Sequence, residues 1–182
     1  MNEEIKQEEV KPIFVDLGVG NKKEKDWIGI DKYRTPVTDI VQNLDDPKLK
    51  LPFDNESVSE IRAYHFLEHI HNLFPLMNEC YRILKPQGHF DIIVPTGYES
   101  AFGDPSHLRA FTDTTFHYFT KNPPGNYHNP EIVGFWKILK NDWSPFLEED
   151  TTNIIMHKRR ELHIYLMPEK QITDPVVKEG QP

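Results

Sequence analysis

Three groups of residues have types and spacings that could do chemistry. The first is Asp16-Leu17-Gly18-Val19-Gly20-Asn21, at the end of the apolar run Ile13–Leu17. Glycines there let backbone approach a ligand closely because no Cβ intervenes. Asp31 closes the next apolar run, Trp27–Asp31, where an acid accepts hydrogen bonds from both hydroxyls of a ribose. Together these features select a nucleoside ligand; the alternatives are ordinary turn glycines for Gly18 and Gly20 and a solvated strand-end acid for Asp31. The third glycine of the dinucleotide fingerprint is absent, and Asn21–Asp26 is too short for a helix, so a diphosphate on a helix N-terminus is not expected. The second group, His65-Phe66-Leu67-Glu68-His69, fits H-x-x-E-H, in which two histidines one helical turn apart bind zinc and the glutamate activates water. A zinc hydrolase also needs a third ligand, and Glu79 and His107 are undistinguished candidates for it. The third group is Asp104-Pro105-Ser106-His107, with Tyr98, Glu99, Arg109 and His117 nearby.

The elements that must position these residues follow from periodicity. Short apolar runs at Ile13–Leu17, Trp27–Asp31, Thr38–Leu44, Ser59–Tyr64 and His89–Pro95 read as strands. From His71 to Leu84, apolar residues recur at three- and four-residue steps, which predicts an amphipathic helix. Lys85-Pro86-Gln87-Gly88 is expected to stop it, proline by failing to continue the helix and glycine by taking a left-handed turn. Thr112 or Asp113 is expected to cap a short helical segment carrying Phe116 and Phe119. Residues 121–134 read as a loop, and Phe135–Trp143 and Arg160–Met167 as two more strands. Several strands with a crossover helix predict an α/β fold with a largely parallel sheet.

Composition narrows the function classes. The chain has 182 residues, 37% hydrophobic and 27% charged, enough for one domain with a core. Its formal charge of −8 opposes a protein devoted to nucleic-acid phosphates. A single cysteine, Cys80, excludes an internal disulfide or a multi-thiolate zinc site and points to a reducing compartment. No run reaches the roughly 20 apolar residues of a membrane span, and the start MNEEIKQEEV is too acidic for a secretory or mitochondrial signal. A cytoplasmic protein is expected. Residues 1–11 and 168–182 are expected to be flexible ends around a single domain at 12–167.

The pieces FVDLGVGN, WIGIDKY, DIVQNLDD, LPFDNESVSEIRAYHFLEHI, LMNECYRILKPQGHFDIIVP and DPSHLRAFT, in this order, resemble the class I S-adenosylmethionine-dependent methyltransferases, in particular small type 11-like members. The resemblance runs from about Phe14 to Phe119. It implies a Rossmann-like, mostly parallel sheet of about seven strands with a C-terminal antiparallel strand. Links between the first three strands are only a few residues long, so their helices are expected to be shortened or absent. One flank of the sheet would then expose backbone and apolar surface, open to a second copy, a protein partner or a large substrate.

The resemblance also implies site residues. S-adenosylmethionine would pass its methionine part over Gly18 and Gly20, with Asp16 orienting the loop, and Asp31 would hold the ribose. Asn43 and Leu44 would meet the adenine edge, with Asn43 standing where an aspartate is frequent. Tyr64, His65 and Phe66 would line the methyl side, with Glu68 and His69 starting the next helix. The loop containing Asp104 and His107 would lie over the open end of the sheet, making His107 the candidate for acceptor contact or proton removal and Asp104 its companion. Tying down the loop is the alternative role for both. No metal is implied; the flanking LPFDNESVSEI and LKPQG belong to the methyltransferase pattern and have no role in a protease. Acceptor recognition falls to about residues 97–134. A small molecule, a glycan intermediate or a protein survives as acceptor, and no Asn-Pro-Pro-Tyr signature of amino-methylating nucleic-acid enzymes is present. A degenerate cofactor-binding partner protein is the alternative of a different class. The basic cluster His157-Lys158-Arg159-Arg160 either steers an anionic acceptor or forms a solvated face.

Overall fold

A computed structural model describes residues 11–96, 101–143 and 160–171. Tyr98, Glu99 and all of the basic cluster but the backbone of Arg160 lie outside the described residues. The apolar runs form strands β1 (Phe14–Leu17), β2 (Ile28–Asp31), β3 (Ile40–Val41), β4 (Val58–Tyr64), β5 (Leu84–Thr96), β6 (Trp136–Trp143) and β7 (Arg160–Pro168). They make one sheet in the order β3-β2-β1-β4-β5-β7-β6. Every pairing from β3 to β5 is parallel, while β7 runs antiparallel to both β5 and β6. The expected Rossmann-like sheet with its antiparallel C-terminal strand is present. No helix among the described residues is long and apolar enough to cross a membrane.

Register decides which side chains share a face. Val15, Ile61, Phe90, Leu166 and Ile138 are successive cross-strand partners, and Ala63, Ile92 and Ile164 form the next such row. Nearly all of these are fully buried. The helix α1 (Leu73–Ile83) packs Leu76, Met77, Cys80 and Ile83 into the same core, as its periodicity predicted. The alternate positions turn to the other face, where Asp16, Arg62, Asp91 and Tyr165 form a row. No described helix lies between β1 and β2 or between β2 and β3.

That second face differs from the apolar flank expected. Arg62 donates to Asp16 Oδ2 at 2.7 Å, and its guanidinium lies over the Trp27 ring at 4.6 Å and the Tyr64 ring at 5.4 Å. Tyr64 donates to Asp91, and His89 stacks on Tyr165 at 4.8 Å. Ionic and aromatic side chains thus cover sheet backbone where helices would otherwise sit, and the Asp16–Arg62 pairing offsets part of the cost of burying both charges. Desolvation raises the Asp16 carboxyl above its ordinary value despite the opposing Arg62.

Several boundaries also shifted. β3 is only two residues long because Asn43 turns the chain: its Oδ1 accepts the Asp45 N–H at 3.1 Å. α1 does not end in a left-handed glycine turn. Leu84 is already extended, at φ −68° and ψ 137°, and pairs with Val58 at the start of β5. A bulge opposite Val58–Glu60 absorbs Pro86, and Gly88 serves a close approach, since a Cβ there would fall 2.9 Å from Leu84 Cδ2 and 3.1 Å from Ser59 O. Glu68 and His69 belong to a separate 3₁₀ turn, Leu67–His69, and not to α1. Residues 168–171, expected in a flexible tail, are held: Glu169 N donates to Phe135 O, and Lys170 Nζ donates to Leu84 O at 2.6 Å.

Candidate functional site

Gly18 and Gly20 take left-handed φ values of +67° and +56°, which reverse the chain after β1. The loop is tied to the end of β2. Gly18 and Val19 N–H groups donate to Ile30 O, and Gly20 N–H donates to Asp31 Oδ2 at 3.1 Å. The other Asp31 oxygen accepts the Tyr33 N–H at 2.9 Å, so each oxygen keeps a further acceptor position. A Cβ built on Gly20 meets nothing nearer than Gly18 O at 4.0 Å, which leaves open space beside that carboxylate. Gly18 is different: a Cβ there would fall 2.2 Å from Phe66 Cδ2, because the ring sits directly on it. The open cradle at Gly20 and the paired spare lone pairs of Asp31 fit a ribose bearing two hydroxyls.

Other sequence-selected residues are placed elsewhere. Asp16 points to Arg62 and leaves the loop to Ile30 O and Asp31. Leu44 is a core residue, whereas Asn43 is exposed at the edge. Tyr64 lies on the polar sheet face, where burial and its bond to Asp91 push its hydroxyl well above the ordinary value. Only Phe66 comes against the glycine loop.

A second assembly gathers beyond the carboxyl ends of β4 and β5. His65 ends β4 with φ +51°, its N–H donating to Ile93 O. Its Nε2 lies 3.1 Å from Glu161 and its Nδ1 3.7 Å from Glu68 Oε1, and Glu68 above all raises its pKa despite burial. The left-handed step at His65 and the three-residue turn after it remove the continuous helix that H-x-x-E-H chemistry requires. Instead, the segment after β5 folds back on the turn. Leu108 N–H donates to Glu68 O at 2.8 Å, and Arg109 donates to Ile70 O and His71 O at 2.6 and 2.9 Å, so Arg109 is a clamp on carbonyls. This brings His107 to Glu68 and His69, with the two imidazoles edge to face at 4.9 Å.

His107 Nδ1 lies 3.0 Å from Ala101 O, and His69 Nδ1 lies 3.2 Å from Ser106 O. Asp104 accepts from both the N–H and Oγ of Ser106, which hold its carboxyl below the usual range. It stands 3.8 Å from His107 Nε2, beyond hydrogen-bond reach, and so shapes the turn rather than gripping the imidazole. Glu68, 1% exposed, stands 4.0 Å from the same nitrogen. The sequence marks Glu68 only through H-x-x-E-H, because its partner His107 lies far along the chain.

Residues 19–92, from the glycine loop to β5, match the family model described as a methyltransferase domain. That match supports a class I methyltransferase of type 11. The class I resemblance carried by the motifs therefore holds, and the cofactor of that class is S-adenosylmethionine. No curated protein matches the sequence. Among solved structures, a chain of the complex between the Haloferax volcanii Trm112 methyltransferase activator and a methyltransferase is similar at TM-score 0.60 and 16% identity, covering 90% of this chain and 84% of that one. A S-adenosylmethionine-dependent methyltransferase from Archaeoglobus fulgidus follows at 0.55 and 16%, covering 86% of each. A mutant 16S rRNA (adenine(1408)-N(1))-methyltransferase from Catenulisporales acidiphilia, solved with cosubstrate S-adenosylmethionine, gives 0.54 and 15%, covering 91% and 89%. At these identities the likenesses show the fold of the methyltransferase domain and nothing finer.

Proposed function

We propose that this methyltransferase domain holds S-adenosylmethionine between Gly20 and Asp31 and methylates a small-molecule or glycan acceptor at the carboxyl ends of β4 and β5. The observation that carries this reading is the Asp31 carboxylate, fixed by the Gly20 and Tyr33 N–H groups beside open space. When bound, the cofactor supplies an electrophilic sulfonium methyl. Asp31 accepts from the ribose hydroxyls, and the Phe66 ring on Gly18 walls the loop from water. The chain's remaining task is to hold the acceptor in line. His107 offers Nε2 to a protonated acceptor, because the Ala101 carbonyl at Nδ1 requires the hydrogen to sit there. The −8 charge weighs against a nucleic-acid acceptor, and the single buried cysteine suits a reducing cytoplasm.

Titration calorimetry with S-adenosylmethionine on the wild type and Asp31→Ala tests the cofactor claim, with folding checked by circular dichroism. Wild-type binding no tighter than the variant's sinks it. A second reading, a cofactor-binding protein that serves a partner without catalysis, draws on the face that no described helix covers and on the fold neighbour solved with an activator. Labelled methyl transfer into cell extracts separates the two, since tight binding without transfer to any fraction favours the partner role.

A further inference from the structure

We propose that Glu68, His69 and His107 bind one divalent transition-metal ion of the zinc class. Their ligand atoms lie within 4.8 Å of one another. A four-coordinate ion with bonds of about 2.0–2.2 Å keeps its ligand atoms roughly 3.3–3.5 Å apart, so side-chain shifts of about 1 Å or less close the site.

Three independent observations point to a cation. Both imidazoles are held at Nδ1: a carbonyl can only accept, so Nδ1 of His107 donates to Ala101 O, and Nδ1 of His69 lies 3.2 Å from both Ser106 O and Ser106 Oγ, whose own hydrogen goes to Asp104, so it too faces acceptors. Each Nε2 then presents a lone pair. A histidine held at one nitrogen by a carbonyl is the usual arrangement behind a metal ligand, fixing ring orientation. Next, Glu68 Oε2 is buried without any hydrogen-bond partner, and Glu68 as a whole is 1% exposed. A carboxylate oxygen left so carries an unrecovered desolvation cost, which a cation would offset. His65 Nδ1 at 3.7 Å and His107 Nε2 at 4.0 Å both face Oε1, so the carboxylate meets the His107 imidazole through that oxygen, and the unpartnered Oε2 marks its burial. Finally, the two halves of the site are locked before any ion arrives, by the Leu108–Glu68 backbone bond and the Arg109 clamp on Ile70 and His71.

Two imidazole nitrogens and one carboxylate oxygen suit zinc, cobalt, nickel or ferrous iron over calcium or magnesium. Three protein ligands leave a further position for water or an acceptor oxygen. An ion there would occupy the Nε2 lone pair of His107 and act on the acceptor in its place by lowering the pKa of a bound hydroxyl. That last clause rests on the methyl-transfer reading, whereas the site itself stands on the cluster's own geometry.

The test uses the tag-free 182-residue chain, stripped with a chelator and desalted. Zinc chloride is titrated calorimetrically, and cobalt chloride by visible absorption, into the wild type, Glu68→Gln, His107→Ala and His128→Ala, whose histidine lies exposed in the 121–134 loop. The expected result is one equivalent bound in the wild type and His128→Ala, weakened by more than about tenfold in Glu68→Gln and His107→Ala. Circular dichroism confirms the fold of each, and the near-isosteric Glu68→Gln keeps the test valid if His107→Ala unfolds. Unchanged affinity in Glu68→Gln, or several weak ions of equal affinity in every variant, overturns the site. Asp31→Ala still binds zinc if only the cofactor reading is wrong, and stripped wild type still binds S-adenosylmethionine if only the metal site is wrong.

Discussion

Substituting Gly18 by alanine tests the packing that separates the cofactor loop from the histidine cluster. The backbone at φ +67° costs an alanine about 1–2 kcal/mol, because Cβ crowds the following carbonyl. The new Cβ would also stand 2.2 Å from Phe66 Cδ2 and 2.5 Å from Cγ, against an ordinary carbon–carbon contact of about 3.5–4.0 Å. The ring must retreat by more than about 1 Å, an overpacking of about 1–3 kcal/mol. The total loss is about 2–5 kcal/mol, read by urea unfolding followed through the tryptophans. In a Phe66→Ala background the steric part vanishes, so Gly18→Ala then costs only the backbone part, about 1–2 kcal/mol. Gly20→Ala, with φ +56° and open space around its Cβ, likewise costs only the backbone part while obstructing the cofactor opening. If Gly18→Ala costs the same with and without the Phe66 ring, within about 0.5 kcal/mol, the ring does not occupy that space and the reasoning fails.

Asp16→Ala strands the Arg62 guanidinium, whose side chain is 12% exposed, and should cost about 2–3 kcal/mol, below the 3–5 of a fully enclosed pair because ring faces still shelter it. The double variant Asp16→Leu/Arg62→Met should lie within about 1 kcal/mol of the wild type by urea unfolding, and a loss as large as the single variant's would count against the pairing account. Glu79 predicts a pH dependence. Burial alone would raise its carboxyl, but hydrogen bonds from Arg82 and the Leu51 N–H outweigh it and hold the pKa below the ordinary value. Its stabilising contribution is therefore complete above the unfolded pKa of about 4.3 and disappears as pH falls through the lower folded value. The stability gap between wild type and Glu79→Gln should be wide at pH 7 and shrink in acid, and a gap independent of pH would contradict this.

The strand sequence was legible from short apolar runs: Leu162, Ile164 and Leu166 alternate with His163 and Tyr165, and Phe90, Ile92 and Val94 stand in a nearly continuous apolar stretch. The glycine loop and Asp31 were legible because backbone reversal and a strand-end acid leave local marks. Lys85–Gly88 misled because proline and glycine punctuate helices and bulges alike, and only the pairing of Leu84 with Val58 decides between them. Asp16 misled because the register that sets Arg62 beside it joins residues 46 positions apart. The cluster of Glu68, His69 and His107 was half visible: the pentapeptide supplied two members, but the third arrives through a fold-back fixed by Arg109 and main-chain bonds, which no spacing rule encodes.

The polar row of Asp16, Arg62, Asp91 and Tyr165 has a thermodynamic consequence. A sheet apolar on one side only surrenders less hydrocarbon to water on unfolding than one enclosed by helices on both sides. The heat-capacity increment and the denaturant slope both scale with that surrendered area. The free-energy curve of this domain against temperature is accordingly flatter, and its urea transition broader, than those of an equally long chain with two covered faces.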